Sequence, residues 1–203
     1  MLLLATTAVV LALSAGSAVA GGGKHGKASS CSQATAQPFL PWLDAGSYFL
    51  APGGDFESGL TGWTTEGGAK IVAGNESSYV GSKTDSHSLY LPAGSSATTP
   101  TMCISLDSPD FRVFVQNTGS LLTLMNVTVN YTDAAGKSHS LLLVPMPGLA
   151  KWSLSLPELI LANITSILSS NGQTSVSFTF TPVGIGTVHW QIDDLYVDPI
   201  KHV

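Results

Sequence analysis

Apolar and polar residues alternate along several short stretches of this chain. In residues 125–132, Met125, Val127, Val129 and Tyr131 alternate with asparagine and threonine. This alternation is typical of a β-strand with one face buried and the other in solvent. A turn segment with Gly136 follows, and residues 138–144 are apolar enough to return as a second strand. The pattern therefore predicts a β-hairpin.

The same alternation recurs near the C-terminus, where residues 175–181 and residues 187–197 are predicted to be strands. Shorter runs rich in β-branched and aromatic residues predict further strands at residues 48–51, 62–65, 69–73, 88–91, 101–106, 111–116 and 152–156. Residues 157–168 are the one segment with apolar residues at helical spacing, after a proline. One short helix is predicted there.

Many short strands separated by Gly, Pro, Asn and Asp predict an all-β fold. We expect a jelly-roll β-sandwich of about 8–10 antiparallel strands with at most one short helix. Three parts are predicted along the chain. Residues 1–20 are a signal peptide, residues 21–46 a flexible spacer and N-terminal arm, and residues 47–203 the sandwich domain.

The N-terminal segment is predicted to be an export signal. Residues 1–20 contain no Asp, Glu, Lys or Arg and end in Ala18-Val19-Ala20, which is typical of a cleaved signal peptide. The alternative is an uncleaved anchor, because residues 2–20 are almost long enough to span a bilayer. The glycine-rich residues 21–37 are expected to be a flexible spacer, and the apolar residues 39–43 are expected to lie against the domain. The protein is therefore predicted to be secreted, with no membrane contact once the leader is removed.

The charge balance excludes one class of partner. Eight basic residues, with Arg112 as the single arginine, stand against 13 acidic ones and give a net charge of −5. Nucleic acid binding requires a concentrated basic face, which this chain lacks. Charged residues make up 10% of the chain, so its surface is expected to be rich in hydroxyl groups.

Two cysteines are present, Cys31 and Cys103. In an oxidising compartment an even count favours one disulfide, closing a loop of about 70 residues. Two buried free thiols are the alternative. A zinc site is disfavoured because no CxxC motif or nearby histidine pair accompanies them.

Two segments at opposite ends of the predicted domain carry a family resemblance. Residues 53–63 read Gly-Gly-Asp-Phe-Glu-Ser-Gly-Leu-Thr-Gly-Trp, and residues 190–197 read Trp-Gln-Ile-Asp-Asp-Leu-Tyr-Val. Together they resemble the galactose-binding-like jelly rolls, the fold of many carbohydrate-binding modules. The resemblance covers residues 48–199. The chain also has a looser likeness to secreted proteins of high-GC bacteria, which implies no particular activity.

The galactose-binding-like resemblance implies a structural calcium ion between the two ends of the domain. Glu57 and Asp193 are its implied side-chain ligands, and Asp85 is a further candidate. Physical reasoning also points to this place. Asp193 and Asp194 interrupt an apolar strand whose inward phase changes there, so a β-bulge and at least one buried carboxylate are expected. A hard cation would compensate that charge. The alternative is that Asp193 and Asp194 hydrogen-bond to backbone amides at the bulge and Glu57 caps a turn, without a metal.

Carbohydrate is the ligand class that the resemblance suggests, yet no ligand-binding residue can be named. Sugars stack on exposed aromatic rings, so an exposed aromatic pair on one sheet would be required. Trp63, Trp152 and Trp190 are all expected in the core. The aromatic residues whose strand phase could face solvent are Tyr79, Tyr90 and Phe114.

No catalytic motif is present. The chain has no G-x-S-x-G, no H-E-x-x-H and no phosphate-binding glycine loop, and its five histidines are scattered. We therefore expect no enzyme. The first hypothesis is a secreted, calcium-stabilised binding module for carbohydrate or a cell-surface polymer. The second is a structural or adhesive extracellular protein that binds another protein and no sugar. Its oligomeric state is open.

Overall fold

The fold is a two-sheet β-sandwich. The computed structural model describes residues 33–143 and 145–198, so the predicted signal peptide, Cys31 and most of the predicted spacer lie outside the described residues. Thirteen strands in the described part form two antiparallel sheets around a shared core. The predicted all-β sandwich is confirmed. The strand count exceeds the prediction partly because Ser96–Thr98 and Glu158–Leu159 are too short to show alternation.

One sheet has seven strands and the other has six. The strands of the seven-stranded sheet are β1 (Phe49–Leu50), β3 (Lys70–Ala73), β4 (His87–Pro92), β7 (Asp110–Asn117), β10 (Ser153–Leu154), β11 (Glu158–Leu159) and β13 (His189–Val197). Its order is β10-β7-β13-β4-β3, with β1 paired to β13 and β11 to β7. The strands of the six-stranded sheet are β2 (Thr64–Glu66), β5 (Ser96–Thr98), β6 (Met102–Ser105), β8 (Thr123–Thr132), β9 (Ser138–Leu142) and β12 (Gln173–Gly184). Its order is β2-β5-β12-β8-β9, with β6 paired to β12.

Burial along the central strands shows which sheet faces solvent. On β8 and β12 buried and less buried residues alternate, so one face of the six-stranded sheet packs on the core and the other is open. On β7 five consecutive residues are buried, and on β13 the last six are. The seven-stranded sheet is therefore covered on both faces, except toward its edges.

The N-terminal arm, residues 36–48, covers the outer face of the seven-stranded sheet. Phe39 has no exposed surface and joins Tyr48, Phe114 and Tyr196 in a second apolar cluster on the outer face of the seven-stranded sheet. Its ring makes edge contacts with Tyr48 at 4.8 Å and with Tyr196 at 5.5 Å between centroids. Phe114 is therefore buried, although its strand phase does point away from the main core.

Arg112, on β7, holds the N-terminal arm against the sheet. Its guanidinium lies 5.0 Å from the centroid of the Phe39 ring. Nη1 donates to Asp44 Oδ2 at 2.8 Å, and Nε and Nη2 both donate to the carbonyl of Ser155. A buried guanidinium requires such hydrogen-bond partners. The contacts of Arg112 therefore hold the N-terminal arm on the sheet.

The short helix predicted at residues 157–168 is present in part, as a 3-10 helix in the second half of the segment. The segment forms β11 and then, after Leu161 with φ of 55°, a 3-10 helix at Ala162–Leu168. Its buried residues are Ala162, Asn163 and Ser166, and Asn163 donates to the Leu106 carbonyl, while Ile164 and Ile167 are exposed. The other described helix is a 3-10 turn at Leu40–Trp42, and no helix in the described residues is long and apolar enough to cross a membrane.

Two carboxylates lie close together where the last strand ends. The amide of Asp198 donates to the carbonyl of Asp110 at 3.0 Å, and the Oδ1 atom of each residue is buried without a hydrogen-bond partner among the described residues. Burial, and then the charge of Asp44, raises the pKa of Asp110 to about 6, while Arg112 opposes the shift. Burial and the charge of Asp110 raise the pKa of Asp198 to about 7.

We expect truncation of the Phe39 side chain to destabilise the fold. Phe39→Ala removes a fully buried ring and should lower the free energy of unfolding by about 3 kcal/mol. Leu43→Ala, in the same arm but at a side chain that is 97% exposed, should change it by less than about 0.5 kcal/mol. Urea unfolding followed by tryptophan fluorescence measures both. Equal, small effects would show that the arm is not part of the cooperative fold.

We expect the stability difference between Asp110→Asn and the unchanged protein to depend on pH. Because the pKa of Asp110 is raised in the folded state, its contribution to stability falls as pH rises from the unfolded value through about 6. The variant escapes this loss and should be more stable by about 1 kcal/mol at pH 8, after allowance for solvent screening, and unchanged at pH 4. Urea unfolding at both values measures it, with Glu66→Gln as an exposed control. If the stability difference between the variant and the unchanged protein is the same at both pH values, the pKa of Asp110 is not raised by folding.

Candidate functional site

The two ends of the domain meet on strand β13. Phe49 pairs with Val197, and beyond that pair the amide of Ala51 donates to the carbonyl of Leu195 at 2.9 Å. The amide of Leu195 donates in turn to the carbonyl of Gly54 at 3.1 Å. The expectation that the glycine-rich segment packs against the last strand is thus met.

The β-bulge expected at the paired aspartates is present. Asp193 lies opposite Phe114 of β7, but Tyr196 lies opposite Arg112, so β13 carries one extra residue. Asp194 takes up the irregularity with φ of 48°. Aspartate tolerates this left-handed conformation better than most residues.

Both aspartates of the bulge are buried, and each fixes the β3–β4 loop, residues 74–86. Asp193 Oδ2 accepts from the amide of Glu76 at 2.9 Å, and its Oδ1 accepts from the amide of Asp194 at 2.9 Å. Asp194 Oδ2 accepts from the amide of Gly81 at 3.3 Å, while its Oδ1 has no hydrogen-bond partner among the described residues. The second aspartate therefore keeps one buried oxygen available.

Gly81 leaves a space beside that oxygen. A Cβ on Gly81 would lie 3.0 Å from Asp194 Oδ1 and 2.7 Å from Asp85 Oδ2. The carboxylates of Asp85 in the β3–β4 loop and Asp194 on β13 thus reach the same small volume, and the absence of a side chain on Gly81 keeps it open.

Glu57 lies beside this space and holds the start of β4 through hydrogen bonds. Its Oε1 accepts from the amides of Ser86 at 2.7 Å and His87 at 2.6 Å, and its Oε2 lies 3.0 Å from His87 Nδ1. Burial opposes ionisation, yet the hydrogen bonds from His87 and Ser86 hold the pKa of Glu57 below its usual range.

Negative charge accumulates around the bulge. Burial is the main reason that the pKa of Asp194 rises to about 7, and the charges of Glu76, Asp85 and Asp55 add to it. Burial likewise raises the pKa of Asp193 to about 9. The pKa of Asp85 is raised by burial and by Glu57 and Asp55. A cation would relieve this repulsion.

The donor set fits a calcium ion in part. Among the described residues no three His, Cys, Asp or Glu side chains form a ready metal centre. Asp85 and Asp194 do share a space, and Ca²⁺ accepts main-chain carbonyls and water as further ligands. Both oxygens of Glu57 and of Asp193 already accept hydrogen bonds. Their assignment as ligands stays a prediction, and sequence reasoning had not chosen Asp194, although it belongs to the same aspartate pair.

The cysteine pairing stays a prediction as well. Cys31 lies outside the described residues. Cys103 is on β6, opposite Ser175 of β12.

The aromatic side chains lie mostly where the sequence placed them. Trp63 and Trp190 are in the main core, and Trp152 packs partly against the second cluster. Tyr90 is half-buried beside His189, with 5.9 Å between ring centroids. An exposed aromatic pair on a sheet, which stacking of a sugar on that sheet would require, is not found among the described strand positions of the open face of the six-stranded sheet.

The open face of the six-stranded sheet carries hydroxyl and amide groups instead. Its outward positions on the four main strands are chiefly Thr98, Asn126, Thr128, Asn130, Thr132, Ser138, Ser140, Ser175, Ser177, Thr179 and Thr181. Their polar nature follows from the alternation that the sequence showed, but their shared surface becomes visible only once the strand order is known.

Four of these side chains form a continuous hydrogen-bonded row, the polar ladder, across β5, β12, β8 and β9. Thr98 Oγ1 and Thr179 Oγ1 are 2.8 Å apart, and Asn130 Nδ2 donates to Thr179 Oγ1 at 2.9 Å. Ser140 Oγ donates to Asn130 Oδ1 at 2.8 Å. The ladder is rigid, because each member is held by its neighbour, and it still offers unused donors and acceptors.

A shallow cavity of about 260 Å³ lies at the β9 end of the ladder. Asn130, Ser138, Ser140, Ser175 and Ser177 are among its lining residues. None of the described positions of β2, β5, β6, β8, β9 and β12 is a lysine or arginine. The face therefore suits a neutral, hydroxyl-rich molecule better than an anion.

These features define a jelly-roll β-sandwich with one open polar face and an acidic cluster at the junction of its ends. Neither a family model nor a curated protein matches the chain. Among solved structures it is similar to a family 61 carbohydrate-binding module in complex with β-1,4-galactotriose, with 17% identity over 74% of this chain and 97% of that one and a TM-score of 0.40.

Two further similar structures are carbohydrate-binding modules. The xylan-binding domain of family 22 is 16% identical over 79% of this chain and 99% of its own, with a TM-score of 0.46. The family 11 module of the cellulase Lic26A-Cel5E of Clostridium thermocellum is 11% identical over 78% and 99%, with a TM-score of 0.41. At this level of similarity the comparison assigns no ligand.

Proposed function

We propose that the protein is a secreted, non-catalytic module that binds carbohydrate on the open face of the six-stranded sheet. The observation that carries this proposal is the polar ladder of Thr98, Thr179, Asn130 and Ser140, an uncharged row of hydroxyl and amide groups fixed across four strands. Sugar hydroxyls both donate and accept hydrogen bonds, so a preformed row of such groups complements them.

The chemistry of the face disfavours other ligand classes. Its described strand positions include no lysine or arginine for phosphate or carboxylate ligands, and the cavity at its β9 end is shallow and lined largely by serine, threonine and asparagine. The rings of Tyr131 and His139, stacked at 5.1 Å, lie at the edge of this cavity on the inward phase of β8 and β9. Because no aromatic side chain occupies an outward position of the four main strands, we expect hydrogen bonds to supply most of the affinity. We therefore expect a dissociation constant of about 1 mM, which corresponds to about −4 kcal/mol.

Removal of the central amide of the ladder tests the proposed face. Asn130→Ala deletes the group that joins Thr179 to Ser140 and should weaken binding about tenfold, the effect of one or two hydrogen bonds. Binding is measured by NMR titration with soluble β-1,4-linked hexasaccharides of glucose and of xylose, chosen after a glycan array.

Gln116→Ala is the matched control, because its amide lies on β7 of the other sheet and donates to the Ala150 carbonyl. It should bind as the unchanged protein does. If Asn130→Ala and Gln116→Ala bind equally well, the open face is not the binding surface.

We also propose that a calcium ion occupies the space between Asp85 and Asp194. The support is the unpartnered buried oxygen of Asp194 and the room that Gly81 leaves beside both carboxylates. The ion would supply positive charge that joins the β3–β4 loop to the last strand, as a structural and not a catalytic group.

Chelation tests the ion. Calcium at 1 mM should raise the Tm of the protein relative to excess EGTA by several degrees, because an ion that binds only the folded state stabilises it. Gly81→Ala places a methyl group in the shared space, and Asp194→Asn removes a charge from it, so both should abolish the calcium-dependent shift. Glu66→Gln, at an exposed position on β2, should keep it. If calorimetry shows the same Tm with calcium and with EGTA, the proposed calcium site is refuted.

An apolar groove supports the second hypothesis, a structural or adhesive role. It has a volume of about 450 Å³ beside β9 and β11, and Leu142, Leu156 and Leu159 in its lining are largely exposed. Exposed apolar surface of this kind is found at protein interfaces. Absence of binding to any glycan, together with self-association in sedimentation velocity, would favour this role over carbohydrate binding.

A further inference from the structure

The β3–β4 loop presents one aromatic side chain in a sterically disfavoured conformation. Tyr79 has φ of 52°, in the left-handed region where the Cβ of an aromatic residue crowds the backbone. Its side chain is 48% exposed. Glycine or asparagine would adopt this conformation more easily, so the backbone alone does not call for a tyrosine here.

A buried carboxylate holds the backbone on both sides of Tyr79. Glu76 has no exposed surface, and its carboxylate accepts from the amide of Ser78 at 2.5 Å and from the amide of Val80 at 2.6 Å. The amide of Glu76 itself donates to Asp193, and the amide of Gly81 donates to Asp194. The loop is therefore fixed on the bulge of β13 by three acidic side chains, with Tyr79 at its exposed turn.

The side chains around Tyr79 leave its ring accessible. Ser77 and Ser78 are small and exposed, and Val80 packs in the opposite direction, against the second apolar cluster. Among the described residues the other exposed aromatic side chain is Trp42, whose ring makes edge contacts with Phe39 and Phe114. No ring contact involves Tyr79 among the described residues. Its exposed surface thus contributes nothing evident to packing.

Strain that persists because the surrounding structure enforces it is typical of ligand-binding positions. We propose that Tyr79 is a stacking platform for the apolar face of a pyranose ring, with the hydroxyl groups of Ser77 and Ser78 beside it, and that it forms a saccharide site apart from the open face. This inference rests on the proposed carbohydrate-binding function. It supplies an exposed aromatic ring, which the outward strand positions of the open face lack, and a ring held in place loses little conformational freedom on binding.

Substitutions at position 79 separate a binding role from a structural one. Tyr79→Gly relieves the strained φ and should raise the Tm, while it should abolish the saccharide-induced shifts of the amide signals of residues 77–81. Tyr79→Phe keeps the ring and should retain binding within about twofold. Tyr79→Ala should weaken binding at this site at least tenfold. Asn130→Ala, on the open face, should leave the shifts of residues 77–81 unchanged.

The same NMR titration with hexasaccharides of glucose and of xylose distinguishes the possible failures. If the unchanged protein shows shifts on the open face but none in residues 77–81, or if Tyr79→Ala binds as well as the unchanged protein, the Tyr79 site is refuted and the proposed function stands. If Tyr79→Gly has a lower Tm, the strain argument is wrong. If no saccharide shifts any amide signal, the proposed function itself fails, and the Tyr79 site with it.

Discussion

The burial of two adjacent carboxylates in strand β13 constrains much of this structure. Asp193 and Asp194 lie in the central strand of a sheet that is covered on both faces, where an uncompensated charge is strongly unfavourable. The β-bulge turns them toward the β3–β4 loop, and the amides of Glu76 and Gly81 satisfy them in part. The position of that loop, and the space beside Gly81, both follow from this requirement.

The two sheets differ because of what covers them. The N-terminal arm occupies the outer face of the seven-stranded sheet, where Phe39 and Arg112 hold it. The six-stranded sheet has no such cover in the described residues and shows its hydroxyl and amide groups to solvent. The division leaves one broad polar surface open to solvent on the six-stranded sheet, whereas the outer face of the other sheet is largely taken up by packing.

Local patterns in the sequence predicted the fold well and the site less well. Alternation located β8, β9 and β12, and the change of phase at Asp193 located the bulge, because both depend on neighbours along the chain. The helical spacing of residues 157–168 predicted the wrong buried face for the 3-10 helix, since Asn163 and Ser166 face inward while Ile164 and Ile167 are exposed. The polar ladder joins four strands that are distant in sequence, so no linear pattern could reveal it.

The arm has a consequence for how the chain can be shortened. A fragment that begins at Tyr48 would keep every strand, yet it would uncover the rings of Phe114 and Tyr196 and leave the Arg112 guanidinium without Asp44. The exposed aromatic patch would favour aggregation, and the lone cation would draw water into the sheet surface. For this protein the boundary of the folding unit therefore lies ahead of the first strand.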